Sequence, residues 1–350
     1  MRTYTCTCAQ TLYFDNTGCM NCGRGVGWCE LCGLIVPVEA DGGGSGTCAN
    51  GHRVRACRNL TEHGVCNRYH AAGGDYCYAC DLNVTVPNPA IPENREYWRR
   101  LESAKRRMLY DLNNVGVGVS KIDAGRFNAE PLRFEFKTDS VHENGRWRKM
   151  ENGEQVFTGH DEGVIVINFK EADPVAREQM REQLNEPQRS LVGHFRHEVG
   201  HWFYDMLVRG APDREAEYNR VFGDPHDPSY ADALERHYDQ GPPPDWADRY
   251  VSAYATMHSW EDWAETWSCY LHQAGSLDTL RAHGWAEVGP PFTDYAAALD
   301  AYARSAVAQN ELARDRGQLP LVPEMLTEPV RAKLTFVHRL VSEGVRPFSN

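Results

Sequence analysis

The sequence predicts an α+β chain: a mostly helical domain with a small mixed sheet, preceded by a small cysteine-rich domain that metal ions hold together. Three observations predict it. Eleven of the twelve cysteines lie between residues 6 and 80. A segment with three prolines follows, Val84–Glu93, and it stiffens and interrupts the chain as a domain boundary does. Beyond it, apolar residues recur mostly on a helical period, with two short runs of strand character. The expected organisation is a cysteine-rich domain over 1–85, a linker over 86–95 and a larger domain over 96–350. Roughly 260 residues beyond the linker can bury a full core, whereas the polar, glycine-rich first 85 or so depend on metal to fold.

The cysteines come first. Cys19/Cys22, Cys29/Cys32 and Cys77/Cys80 have the C-x2-C spacing of zinc knuckles, and Gly23 and Gly33 free backbone N–H groups to turn towards sulfur. The start Met1-Arg-Thr-Tyr-Thr has no basic stretch followed by an apolar one, so no secretory leader is expected. In a reducing cytoplasm, paired thiols mean metal rather than disulfides. Ligand counting gives one site from Cys6, Cys8, Cys19 and Cys22, and a second from Cys57, Cys66, Cys77 and Cys80. Cys29, Cys32 and Cys48 are then one ligand short, and His52 completes them. Three structural zinc ions follow from this partition, with two as the alternative.

After the linker, Asn94–Asn113 places Trp98, Leu101, Met108, Leu109 and Leu112 on a helical period. Its basic residues, Arg99-Arg100 and Lys105-Arg106-Arg107, are expected on a solvated face rather than in a nucleic-acid groove. Strands are expected at Arg133–Lys137 and Gly163–Phe169, the second apolar and β-branched. Helices are expected at about Pro174–Leu184, Gln188–Val208, Arg214–Val221, Tyr230–Tyr238, Trp246–Thr256, Trp260–Gln273, Thr293–Asp315 and Pro329–Ser342. No stretch approaches the roughly 18 apolar residues of a membrane span.

Two of these helices carry chemistry. His197-Glu198-Val-Gly-His201 puts two imidazoles one turn apart on one helix face, where both can reach a single metal ion with Glu198 beside it as a base. The helix at Trp260–Gln273 carries Glu261 and Glu265, also one turn apart. One carboxylate can complete a set of two histidines and one acid, leaving a position for water, while the other orients a ligand histidine. Tyr204 and Leu207 stand where a metzincin has its Gly and third His, so that class is disfavoured. His194, a turn before His197, is an alternative ligand. Gly200 costs its helix about 1 kcal/mol against Ala, and a close approach of neighbouring backbone is a reason to keep it. Cys269, on the glutamate helix, is expected to be a small buried side chain.

Charge narrows the partners. The chain carries a formal net charge of −12, and residues 1–88 hold six Arg against seven Asp or Glu. A ribbon that binds nucleic acid needs a basic footprint, so that partner is disfavoured.

Five segments together resemble a known family. They are Phe14-Asp-Asn-Thr-Gly-Cys-Met-Asn-Cys-Gly23, Cys77-Tyr-Ala-Cys-Asp-Leu-Asn-Val-Thr-Val-Pro87, Tyr97-Trp-Arg-Arg-Leu-Glu-Ser-Ala-Lys-Arg-Arg107, Gly193-His-Phe-Arg-His-Glu-Val-Gly-His201 and Trp260-Glu-Asp-Trp-Ala-Glu-Thr-Trp267. They are similar to the bacterial zinc-binding metallopeptidases that join an N-terminal zinc ribbon to a zincin domain, and the resemblance runs over most of the chain. The contracted Cys6-Thr-Cys8 and the segment Cys29–His52, which resembles an inserted knuckle, depart from the pattern. The resemblance implies a zinc-ribbon domain before a zincin-like metallopeptidase domain, peptidase activity on a peptide or protein substrate, and one catalytic zinc beside two or three structural ones. It also allows a protein partner through the ribbon, and it implies that Gly163–Phe169, shortly before the metal helix, is an edge strand on which an extended peptide can add by main-chain hydrogen bonds. Glu261-x-x-Ala-Glu265 resembles the carboxylate helix of lethal-factor-type zincins, which implies Glu261 as third ligand and Glu265 as its support. In those enzymes a tyrosine stands seven residues before the ligand acid, which implies Tyr254 as oxyanion donor, with His258 the alternative. The rival reading is a catalytically silent zincin whose ribbon serves as a binding or scaffold module.

Overall fold

The computed structural model describes residues 1–71, 73–119, 130–143, 146–150, 156–183, 189–320, 322–323 and 325–344. The chain divides into two compact units. The first comprises Met1–Arg107, Arg133–Thr158 and Val166–Glu178, and the second Met108–Leu132, Gly159–Ile165 and Gln179–Asn350. The architecture is α+β, with the strands short and the longest elements helical.

In the first unit a hairpin of β1 (Tyr4–Thr5) and β2 (Thr11–Leu12) precedes a closed five-stranded barrel. The barrel consists of β3 (Val26–Cys29), β4 (Leu34–Gly42), β5 (Ser45–Cys48), β6 (Arg53–Ala56) and β7 (Arg68–His70). Successive strands pair antiparallel, and a parallel pairing of β3 with β7, Trp28 opposite Arg68 and Cys29 opposite Tyr69, closes the ring. Gly27 permits that closure, because a Cβ there would lie 2.4 Å from the Asn67 carbonyl oxygen. Val36, Val38 and Val54 fill the interior together with Cys29 and Cys48, so two cysteines of the metal-ligating pattern are also core residues. The one-turn helices α1 (Arg58–Thr61) and α2 (Tyr78–Asp81) are N-capped by Cys57 and Cys77.

β8 (Asn83–Thr85) pairs in parallel with β9 (Arg133–Lys137), and β10 (Ser140–Glu143) with β11 (Arg146–Lys149) as an antiparallel hairpin. Helix α3 (Pro92–Asn114) passes from the first unit into the second after Arg107. The basic run on α3, expected on a solvated face, is divided: Arg99 is exposed and Arg100 and Arg107 are half-buried, whereas Lys105 and Arg106 are inside. Lys105 is fully buried with its Nζ 3.1 Å from Glu102 and hydrogen-bonded to Asn83, while Arg106 donates to the Val65 carbonyl at 3.0 Å and Arg107 pairs with Asp15. These partners lie up to 92 residues away along the chain, so local charge patterning could not reveal them.

In the second unit β12 (Gly159–Asp161) and the start of β13 (Val164–Asn168) form a tight hairpin. β12 has β13 as its only strand neighbour among the described residues, so β12 is the edge and not β13, the strand expected there. Seven helices are α4 (Pro174–Gln183), which begins in the first unit, then α5 (Leu191–Leu207), α6 (Pro212–Phe222), α7 (Tyr230–Gln240), α8 (Ser259–Ala282), α9 (Tyr295–Arg314) and α10 (Glu328–Glu343). Leu184 and Gln188, expected helix ends, lie outside the described residues. α8 runs two turns beyond its expected end at Gln273.

The helix expected over Trp246–Thr256 is absent, and two short 3-10 turns, Trp246–Asp248 and Tyr254–Thr256, stand in its place. Side chains take the backbone groups that would propagate a helix. Lys333 donates to the Arg249 carbonyl at 2.8 Å, and the Ser252 hydroxyl accepts from the Ala255 N–H at 3.1 Å.

α5 and α8 pack face to face, and Gly200 sets their spacing. A Cβ there would lie 3.1 Å from Trp267 Cβ and 3.2 Å from Ala264 Cα, and Trp263 donates its indole N–H to the Gly200 carbonyl at 2.8 Å. Around this contact Trp202, Phe203, Trp263 and Trp267 are buried, with Phe203 and Trp267 stacked at 4.3 Å. Burying large aromatics on both helices fixes the rotation of each about its axis. Arg196, next to His197, is held at 2.6 Å by buried Asp111 of α3.

Candidate metal centre

That packing decides which side chains of the two helices meet. The Ser190 hydroxyl caps α5 by accepting from the Gly193 N–H at 3.0 Å, and His258 caps α8 by accepting through Nδ1 from the Trp260 N–H at 3.1 Å. One turn apart on α5, His197 and His201 meet Glu261 in the first turn of α8. Their ligand atoms lie within 4.8 Å of one another, with Glu261 Oε2 3.0 Å from His197 Nε2 and 3.6 Å from His201 Nε2. Tetrahedral coordination with zinc–nitrogen and zinc–oxygen bonds of about 2.0 Å sets ligand separations near 3.3 Å, and the observed pair brackets that value.

The two carboxylates on α8 have different environments. Glu265 uses both oxygens: Oε1 lies 2.6 Å from His197 Nδ1, and Oε2 accepts from the Ser252 hydroxyl at 2.7 Å. Glu261 uses only Oε1, which accepts from the Tyr230 hydroxyl at 2.9 Å, and presents Oε2 to the imidazoles. Geometry thus leaves Glu261 as the acid with an open oxygen and Glu265 as the group that fixes the His197 ring so that Nε2 points inward. Burial works against a charge on His197, yet the hydrogen bonds to Glu261 and Glu265 overcome it and raise its pKa well above the ordinary value.

The remaining expected residues fall around this centre. Glu198 is buried, and burial raises its carboxyl above the ordinary range against the pull of His197 and His201. Tyr254, on a 3-10 turn, sits with its ring 6.0 Å from that of His197. His258 is occupied as the helix cap, and His194 is not in the ligand group. Cys269 is buried on α8, its thiol pushed up to about 12 by that burial. Sequence reasoning missed Tyr230, Ser252 and Trp260, whose ring packs 3.8 Å from that of His201. No spacing rule links Tyr230 to a glutamate 31 residues later, so only the fold could find it.

In the first unit the structure brings together three groups, each within ligand distance: Cys6, Cys8, Cys19 and Cys22; Cys29, Cys32, Cys48 and His52; Cys57, Cys66, Cys77 and Cys80. Sulfur separations are 3.8 Å for Cys6/Cys22, 3.6 Å for Cys8/Cys19, 3.6 Å for Cys32/Cys48 and 3.7 Å for Cys66/Cys77. A tetrahedron of thiolates around zinc at about 2.3 Å has edges near 3.8 Å, whereas a disulfide is about 2.0 Å long. The donor sets therefore fit zinc. His52 places Nδ1 3.1 Å from Cys32 Sγ, which matches its expected place in the second group. Asn21 and Asn50 donate side-chain N–H groups to Cys8 and Cys32, and the Asn21 bond leads in pulling the Cys8 thiol down to about 6.

Residues 94–340 match the family described as "Putative zinc-binding metallo-peptidase", and residues 3–91 match a zinc-ribbon domain. Uncharacterized proteins from Mycobacterium bovis (strain ATCC BAA-935 / AF2122/97) and from the CDC 1551 and H37Rv strains of Mycobacterium tuberculosis are each 34% identical to this chain over 356 residues, covering 99% of it and 97% of the relative. No solved structure matches. No described helix is long and apolar enough to cross a membrane.

Proposed function

The chain belongs to the zinc-binding metallo-peptidase family, and from that premise we propose that it hydrolyses a peptide-like amide bond at a zinc centre formed by His197, His201 and Glu261. The observation that carries this reading is one open carboxylate oxygen, Glu261 Oε2, facing two imidazoles whose own helix also supplies Glu198. Zinc in such a set supplies Lewis acidity and makes water nucleophilic near pH 7. The chain's residues do the rest. Glu198 takes a proton from the attacking water as its oxygen bonds to the carbonyl carbon, then passes it to the amine as the C–N bond breaks. Glu265 keeps the His197 ring in place throughout, itself held by Ser252. Tyr254 donates its hydroxyl to the oxygen that gains negative charge in the tetrahedral intermediate.

Three structural zinc ions, in the groups completed by Cys22, His52 and Cys80, make up the rest of the cofactor set. On this reading 1–85 is the ribbon, 86–95 the linker and 96–350 the peptidase domain. Twelve cysteines with no disulfide among them support a cytoplasmic location.

Turnover of a fluorescence-quenched peptide library by zinc-loaded wild type and Glu198→Gln tests the reading. The variant is expected to keep its zinc and lose activity by about 10²-fold or more. Equal turnover by both proteins, or none by wild type, overturns the proposal and leaves the ribbon as the functional module.

A further inference from the structure

Tyr230 is the first residue of α7, whose start is fixed by the Ser229 hydroxyl accepting from the Asp232 N–H at 3.2 Å. Its surroundings are unlike those of a packing residue. Ala233 is the only buried residue on the helix, and Tyr230 is itself 39% exposed. Yet its hydroxyl reaches inward to Glu261, which is 2% exposed, and donates to Oε1 at 2.9 Å.

We propose that Tyr230 is a positioning residue for the metal centre: by holding Glu261 Oε1 it turns Oε2 towards the two imidazoles and keeps the carboxylate a one-oxygen ligand. The inference rests on the reading of Glu261 as a zinc ligand. A carboxylate with both oxygens free can rotate about its last bond and offer either or both to an ion. Ser252 performs the opposite service for Glu265, engaging the oxygen that His197 does not use. Tyr230 and Ser252 together divide the labour between two glutamates one turn apart, and neither hydroxyl is on α5 or α8.

The Phe variant isolates the hydroxyl, because the ring contacts with His258 at 5.3 Å and Trp260 at 6.0 Å do not involve it. Zinc affinity of the full chain is measured by competition with a chromophoric chelator for wild type, His197→Ala, Tyr230→Phe and Tyr254→Phe, with thermal unfolding of each as a control for folding. Wild type is expected to hold one zinc more than His197→Ala. Tyr230→Phe should hold that zinc about 10- to 100-fold more weakly with an unchanged unfolding temperature in chelator, and Tyr254→Phe should bind it as wild type does. If His197→Ala holds as many zinc ions as wild type, the centre itself is misread and the role of Tyr230 falls with it. If His197→Ala lacks one zinc but Tyr230→Phe binds it with wild-type affinity, the centre stands and the positioning role is overturned.

Discussion

The choice between two glutamates is made by hydroxyl groups that neither glutamate's helix supplies. Ser252 and His197 consume both oxygens of Glu265, and what is left of Glu261 after Tyr230 is a single oxygen aimed at the imidazoles. Removing the Glu265 carboxylate therefore frees the His197 ring without deleting a ligand. Glu265→Ala is expected to weaken zinc binding at this centre by about 10- to 100-fold, and Glu265→Gln less, because its amide oxygen can still accept from Nδ1. Competition titration with a chelator on the zinc-loaded chain measures both, and wild-type affinity in the Ala variant would count against the assigned role. At this scale the motifs were legible and their support was not. His197, His201, Glu261 and Glu265 lie at helical spacings that any reader of the chain can count. Tyr230 and Ser252 act across 31 and 13 residues of chain that no single helix or strand spans, so no period connects donor to acceptor.

Elements bring these residues together, and α5 and α8 approach closely at Gly200. Replacing it with Ala adds a methyl group where Trp267 Cβ and Ala264 Cα already stand 3.1 and 3.2 Å away. Helix propensity favours Ala by about 1 kcal/mol, but overpacking against backbone costs about 1–3 kcal/mol. Gly200→Ala is expected to lower the denaturant midpoint and also to weaken zinc binding, since Glu261 moves away with α8. Greater stability with unchanged affinity would show that the helices have room to spare. The period of the sequence located α5 and α8 because their faces bury large aromatics. It misplaced a helix at Trp246–Thr256, where apolar residues recur suitably but Lys333 and Ser252 take backbone groups for other purposes. The barrel strands escaped notice because metal ligands occupy positions that would otherwise show an alternating apolar pattern, as Cys29 and Cys48 do in its core.

For the whole molecule, the three cysteine groups differ in exposure, which sets an order of metal loss. Cys22 is exposed and Cys8 half-buried in the first group, Cys32 is half-buried in the second, and all four cysteines of the third are buried. Treating the zinc-loaded chain with a thiol-reactive disulfide and mapping modified peptides over time should label Cys22 and Cys8 first and the group containing Cys57 last. Full chelation should unfold the first unit, because burial of its cysteines depends on their ion. Labelling of Cys57, Cys66, Cys77 and Cys80 before Cys22 would contradict this order. An N-terminal zinc ribbon was legible from cysteine density alone, whereas the burial of Lys105 and Arg106 was not, since a buried cation is recognised only by the distant groups that surround it.

A ring of five strands has no first and last member. Wherever β3 meets β7 the row of amide and carbonyl groups that an open sheet would leave at its rim is already engaged. Once formed, the barrel itself offers a neighbouring copy no free ladder at the β3–β7 seam, which lessens the usual liability of a small, sparsely apolar sheet to fibre-like association.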